Sequence, residues 1–345
     1  MSEKRLAVKN SRDLGLQFLE NDVKMIGQDG AYSVALDDSS SLWLFGDTFV
    51  GTFDETGKRL VDRMPNNTGL ICYDRDISKG IKHFTYLTDE NGGLRQLIPL
   101  SAEEERGNYH IWGMDACVRG NDIYWYYVLV KILDEGTWPY KFDIAGSGLA
   151  KSDRDTMRFE RVFHLDAIQD VEFPHVCYGV TALPAINDEF LYVYGSYTKG
   201  YRHRCHISRV RPDDIEDFSK YEFLSSPAPG WTAEPKHAID IMEGMPTEMS
   251  VSFNRHLNAY LAVHSWETSG KIVGRTADHP WGPWSEPVLL WTSRVPLRNP
   301  LVYDGPVVYA GKEHAEYARN NGQFIYVTYI EFEEYYPRLV EIEIV

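Results

Sequence analysis

The chain has little of what would carry it across a membrane, onto a nucleic acid or into a disulfide framework. No apolar run approaches the roughly 20 residues that a membrane helix needs. The four cysteines, Cys72, Cys117, Cys177 and Cys205, show no C-x-x-C spacing. That excludes the common zinc and redox motifs and leaves reduced thiols in strands or core. Lys and Arg number 35 against 51 Asp and Glu, a formal net charge of −16. Phosphate binding needs clustered basic residues, so DNA, RNA and anionic membranes are not expected partners, and the charge serves solubility. A Gly-rich phosphate loop, a G-x-S-x-G elbow and an H-E-x-x-H helix are all missing. The opening "MSEKRLAVKNSRD" has no apolar h-region. The expectation is therefore a cytoplasmic chain, or a secreted or periplasmic one if a signal has been removed.

Helical periodicity is scarce as well, with short connectors at 101–106 and 212–219 as the best candidates. What abounds is aromatic: 22 Tyr, 15 Phe and 9 Trp. Such residues favour strands and offer flat faces for sugars.

Five segments share one layout, a short alternating strand, a turn and a strongly aromatic or β-branched strand. They are "QDGAYSVALDDSSSLWLFGDTF", "GMDACVRGNDIYWYYVLV", "CYGVTALPAINDEFLYVYGSY", "TEMSVSFNRHLNAYLAVHSW" and "KEHAEYARNNGQFIYVTYIE". Their turns carry Asp, Asn, Ser and Gly, the residues of hairpins. Copies recur roughly every 65 to 80 residues. Third and fourth strands follow most hairpins, as in "KIVGRTADHPWGPWSEPVLLW". The pattern predicts an all-β chain, 1–345, forming a single five-bladed β-propeller. The last unit lacks a fourth strand, and "RLAVKN" at the amino terminus is expected to supply it, closing the ring and covering a sheet edge. The alternative is a β-sandwich or two stacked all-β domains.

Strand symmetry would gather the residue before each innermost strand around one pit. These are Asp29, Asp115, Tyr178 with His175 close by, Glu248 and His314. Asp47 ends the second strand of the first unit, "SLWLFGDT", and is expected beside Asp29. Crowded carboxylates raise one another's pKa, and paired across a sugar bond they are the apparatus of glycoside hydrolysis. His110, Trp112 and Trp231 are further candidates for sugar contact, the two tryptophans from loop-like contexts. Bland roles stand against each residue: a turn for Asp29, a strand cap for Asp47, a satisfied channel histidine for His314, and blade core for most tryptophans. No cofactor is required by this reading; a Ca²⁺ ion or a water on the channel axis stays open.

"DGAYSVALDDSSSLWLFGDTF", the second-unit acid, and "TEMSVSFN" followed by "YLAVHS" resemble a bacterial family of unknown function with a D-G…W-L-F-G-D-T signature, which includes endo-D-arabinanases. The plan is also similar to the five-bladed arabinanase and xylosidase superfamily. The resemblance implies Asp29 as base or nucleophile, Glu248 as general acid, Asp115 as tuning carboxylate and Asp47 as a second first-unit carboxylate. It also implies that His314 faces a channel water or ion. Tyr178 departs from the pattern, since no acid stands in the third unit. A non-catalytic carbohydrate-binding propeller is the runner-up. A glycoside phosphorylase is the third reading, with Arg298, Arg319 or Lys312 meeting phosphate.

Overall fold

A computed structural model describes residues 6–135, 141–167, 174–184, 189–200, 202–294 and 307–345. Arg298 therefore lies outside the described residues. Strands dominate: among the described residues there is one five-residue α-helix, Ala102–Arg106, and a few single turns of 3₁₀ helix, of which Pro212–Asp214 lies within the expected 212–219 connector and Phe218–Lys220 overlaps its end. The helix owes its start to a capping box, with Ser101 accepting from the Glu104 N–H and the Glu104 carboxylate accepting from the Ser101 N–H.

The strands form five antiparallel sheets of four or more strands among the described residues, plus one of three. Their innermost hairpins are Tyr32–Ala35 with Ser41–Phe45, Tyr109–Arg119 with Asp122–Ile132, Cys177–Pro184 with Leu191–Lys199, Met249–Asn254 with Ala259–Ser265, and Val308–Glu313 with Phe324–Glu331. The inner strands neighbour one another in chain order. The fifth returns to the first, because the Lys312 ammonium donates to the Gly30 carbonyl and the Tyr309 hydroxyl to Asp29. The amino-terminal strand Val8–Leu16 lies on Pro337–Ile344, from Val8 opposite Ile344 to Leu16 opposite Arg338. It covers the edge that the last unit would otherwise expose.

Each hairpin's second strand is packed on both faces. Asp122–Ile132 is buried along nearly its whole length, and Trp43, Trp125, Tyr126, Tyr127, Tyr192 and Tyr194 lose essentially all contact with water. Each such burial contributes about 2–3 kcal/mol, provided the polar end of the ring finds a partner. It does: the Trp125 indole donates to the Met114 carbonyl (2.9 Å), Trp43 to the Tyr317 hydroxyl (3.0 Å) and Tyr194 to the Pro280 carbonyl (2.6 Å). All four cysteines are buried free thiols in strands.

Three features depart from the sequence pattern. A hairpin, Thr48–Phe53 with Arg59–Arg63, is inserted directly after Asp47 and pairs with Met25–Gln28 instead of joining the first sheet. The innermost strand of the fifth unit starts at Val308, earlier than the repeat suggested, since Ala315–Tyr317 form a helical turn and break the apparent alternation of "KEHAEYAR". His314 consequently follows its strand. Asp115 and Tyr178 lie inside their strands, Asp115 where the pairing slips between Trp125 and Tyr127 and Tyr178 just before a slip at Thr181.

Gly113 marks how tightly the second sheet is filled. A Cβ there would lie 1.9 Å from the Trp125 ring. Gly113→Ala is expected to destabilise the protein by about 1–3 kcal/mol, read as a lower midpoint in urea unfolding with an unchanged slope.

Candidate active site

The run "FGDT" ends as it does because of what stands across from it. Gly30 at φ 77 and Ala31 at φ 60 turn the chain sharply after Asp29. The Asp29 carbonyl then accepts N–H bonds from Ala31 and Gly46, both 3.0 Å. This closure lays the Asp29 carboxylate over the Cα of Gly46, where a Cβ would meet Oδ1 at 2.5 Å. Only glycine leaves room for that oxygen. The other oxygen, Oδ2, accepts from the Tyr309 hydroxyl (2.7 Å), and Tyr335 donates to the same carboxylate. Burial, followed by the negative charge of Asp47 and, more weakly, that of Glu248, pushes Asp29 up to about 7 against the pull of the two hydroxyls. Tyr335 stacks on Phe49 at 4.5 Å, and Phe332 lies edge-on to Tyr335, so an aromatic wall stands beside Asp29.

Asp47 follows at the mouth of the inserted hairpin. Its carboxylate meets His110 Nδ1 at 3.1 Å, tying the first sheet to the second. Glu248 is buried, accepts from the Thr247 hydroxyl (2.5 Å), and is raised by burial against the lowering charges of Lys312 and His203. Asp115 accepts from the Ala182 N–H across to the third sheet and from the Ala116 N–H, each at 2.9 Å. Burial lifts it to about 7 even so.

Lys312 is the group common to these acids. It is almost completely buried, donates to the carbonyls of Gly30 and Ala310, and lies 4.4 Å above the Tyr32 ring. Burial pushes it down to about 8, opposed by Glu248, Asp29 and Asp115 in that order. A cavity of about 90 Å³ is lined by Tyr32, Ser33, Asp115, Lys312, Glu313 and Glu316, among others. Glu313, bonded to Ser252 (2.7 Å), is also raised to about 7 by burial. Among the described residues no three His, Cys, Asp or Glu side chains form a metal-binding group. A larger cavity, about 310 Å³ between the second and third sheets, touches none of the candidate residues.

The remaining candidates divide. Trp112 belongs to a strand and not to a loop; it shares a strand face with His110 and packs edge-on against Phe142 at 4.7 Å. His175 meets the Ser147 hydroxyl through Nε2 (3.0 Å) and is held down to about 4 by burial. Tyr178 is a core residue, since its ring packs on Phe223 of the third sheet (5.3 Å) and on Phe218 of the 3₁₀ turn before it (6.1 Å). Trp231 is a strand residue at that sheet's outer edge, capped by Arg209 at 4.4 Å and abutting Trp281. His314 has both ring nitrogens occupied, by Ser33 (2.6 Å) and Thr328 (2.7 Å), and stacks on Trp43 at 4.3 Å. Burial holds it neutral, and neither nitrogen is left for a ligand. Arg319 pairs with Glu341 at 2.6 Å. Sequence reasoning missed Tyr309, Tyr335, His203 and the central position of Lys312. The motif "VVYAGKE" offered a tyrosine and a lysine three apart, but the irregular backbone that aims both at Asp29, with Ala310 at φ 57, leaves no sequence mark.

A family model described as "Domain of unknown function (DUF5005)" matches residues 16–334. No curated protein matches the chain. Among solved structures, a nominal hydrolase from Bacteroides ovatus is similar with a TM-score of 0.64 and 19% identity, over 96% of this chain and 87% of that one. The GH43_1 enzyme of Xanthomonas citri gives 0.51 and 14%, over 97% and 89%. A GH43 β-xylosidase/α-arabinofuranosidase from a compost microbial metagenome gives 0.50 and 12%, over 97% and 94%. At these identities the likeness is one of fold.

The raised carboxyls make folding depend on pH. Asp29 moves from 3.8 to about 7, so between those values the folded chain holds a proton that the unfolded chain has released. Stability then falls as pH rises through that window. Asp29→Asn removes the charged form and is expected to stabilise the protein at pH 8 by about 1–3 kcal/mol and not at pH 4. Urea unfolding of both proteins at the two pH values checks it; equal gains at both would contradict the assignment.

Proposed function

The chain belongs to DUF5005, a family defined as a domain of unknown function, and we propose that it is a glycoside hydrolase acting on an arabinose-containing or related glycan from the central pit of a five-bladed β-propeller. The cyclic order of inner strands and the edge pairing by Val8–Leu16 support the propeller, as does the fold likeness to GH43 enzymes. The arabinose-containing class rests on the sequence resemblance and on that fold likeness.

The observation that carries the activity is that Asp29 and Glu248, from the first and fourth sheets, both act on one buried lysine and both have raised proton affinity, the charge of Glu248 adding to that of Asp29. Glycoside hydrolysis needs one carboxyl protonated and its partner ionised. The surroundings divide the two roles. Asp29 receives two tyrosine hydroxyls, which favour its charged form. Glu248 is more deeply buried and has a single hydroxyl donor. A proton retained on Glu248 also removes one of the charges that raise Asp29. Glu248 is thus the general acid and Asp29 the base or nucleophile, two environments pushing a pair apart. Asp115 tunes the pair through Lys312, and the Asp47–His110 contact shapes the rim. The wall of Tyr309, Tyr335, Phe49 and Phe332 offers the sugar ring a face, a part first sought in Trp112 and Trp231.

The test is hydrolysis of aryl α-L-arabinofuranosides, β-xylosides and β-galactosides and of arabinan oligomers. Asp29→Asn and Glu248→Gln are each expected to lower kcat by about 10³-fold. Activity that survives both changes defeats the site, and a wild type that binds sugar without cleaving any substrate favours the binding-module reading. Gly46→Ala is a separate probe. Its methyl displaces the Asp29 carboxylate, so about 100-fold of kcat should disappear while the far-ultraviolet spectrum stays that of the wild type.

A further inference from the structure

Glu248 ends a loop, 244–248, that crosses from the outer strand Met242–Glu243 of the third sheet to the inner strand of the fourth. Two residues outside that loop hold its first member. The Gly244 N–H donates to the His203 carbonyl (2.9 Å), and the Gly244 carbonyl accepts from the Glu267 N–H (2.7 Å). His203 and Glu267 are then joined to each other. Glu267 Oε2 meets His203 Nδ1 at 2.5 Å, and Oε1 accepts from the His203 N–H at 3.3 Å. The result is a closed set of four bonds between a loop residue, the third sheet and the fourth.

The geometry is built at some cost. Glu267 has φ 46, a left-handed conformation that side-chain-bearing residues seldom adopt. Gly244, at φ +84, lies so close to the Trp266 ring that a Cβ would come within 2.6 Å of it. The Glu267 side chain is only 9% exposed, whereas that of His203 is 24% exposed. Among the described residues the Nε2 of His203 has no protein partner. Position agrees: Met249 pairs with His264, so Glu267, three residues further along, stands at the same end of the fourth sheet as Glu248. The charge of Glu248 acts on Lys312 and Tyr309 from the fifth sheet and on Tyr32 and Asp29 from the first, and His203 of the third sheet acts on Glu248.

We propose that His203, clamped by Glu267, is a positioning residue for Glu248: the pair fixes Gly244, the first residue of loop 244–248, and through that loop sets the direction in which the Glu248 carboxyl meets the leaving group. This rests on the reading of Glu248 as general acid. A merely structural clamp would slow all substrates alike. A clamp that aims the acid acts most where the leaving group most needs a proton.

The experiment compares His203→Ala, His203→Asn and Glu267→Gln with the wild type on aryl glycosides of graded leaving-group acidity. His203→Ala is expected to lose about tenfold in kcat with an activated phenol and about 10³-fold with a poor one, at little change in KM. His203→Asn, whose amide replaces Nδ1–H, should restore most of the difference, and Glu267→Gln should lie between. Equal losses across the series, or none, would overturn the proposal. A second measurement needs no activity. In protein labelled with ¹³C at glutamate carboxyls, the Glu248 resonance is the one absent from Glu248→Gln. It should move in His203→Ala and return in His203→Asn; a resonance that stays put in His203→Ala overturns the proposal. If the wild type hydrolyses nothing and the resonance still moves as expected, the glycosidase reading fails and the positioning role stands.

Discussion

Burying the Lys312 ammonium is the constraint around which the centre of the molecule is arranged. An isolated charge in that position would be strongly unfavourable, so it needs hydrogen bonds and counter-charges from every side. It receives two carbonyls, the face of Tyr32 and the fields of Glu248, Asp29 and Asp115. Apart from the Ala310 carbonyl of its own strand, those partners come from the first, second and fourth sheets, while the lysine belongs to the fifth. The converse also holds. Without the ammonium, several buried carboxyls would face one another with no cation between them, and folding would drive protons onto all of them. The proton affinities of the pit are thus a property of the assembled sheets and of no single strand.

The rigid surroundings explain how such a cluster persists. Second strands packed with Trp43, Trp125, Tyr126 and Tyr127 leave the inner strands little freedom, and close backbone approaches, as at Gly113 and Gly46, transmit position over a few ångströms. Asp29 is the clearest case. Its carboxylate occupies the space of an absent side chain, so Gly46 and Asp29 act as one structural unit although they flank different strands.

Around this fixed centre stand the inserted hairpin and the loop that ends in Glu248. The hairpin inserted after Asp47 carries the exposed apolar residues Phe53, Leu60 and Val61, and the loop bearing Glu248 is fastened by the His203–Glu267 pair. On the proposed reading, chemistry belongs to the inner-strand ends and substrate selection to what is built above them, the division expected where one scaffold serves many functions.

Much of the architecture was legible in the order of residues. Alternation, hairpin turns and aromatic strands repeat along the chain, and strand formation follows from such local patterns; the missing fourth strand of the last unit pointed to the amino terminus, and Val8–Leu16 pairs there. The acids Asp29, Asp47, Asp115 and Glu248 were visible because carboxylates inside or at the ends of apolar strands are conspicuous. Tertiary structure alone decided which neighbours they meet. Tyr178 and His314 shared the repeat position with the acids, yet one packs in a sheet interior and the other is bonded through both nitrogens, because Tyr178 lies inside its strand and His314 after its own, and a change of one position along a strand turns a side chain to the other face. Tyr309, Tyr335 and Lys312 reach Asp29 across about 280 to 300 residues of chain, and no local pattern encodes contacts at that separation.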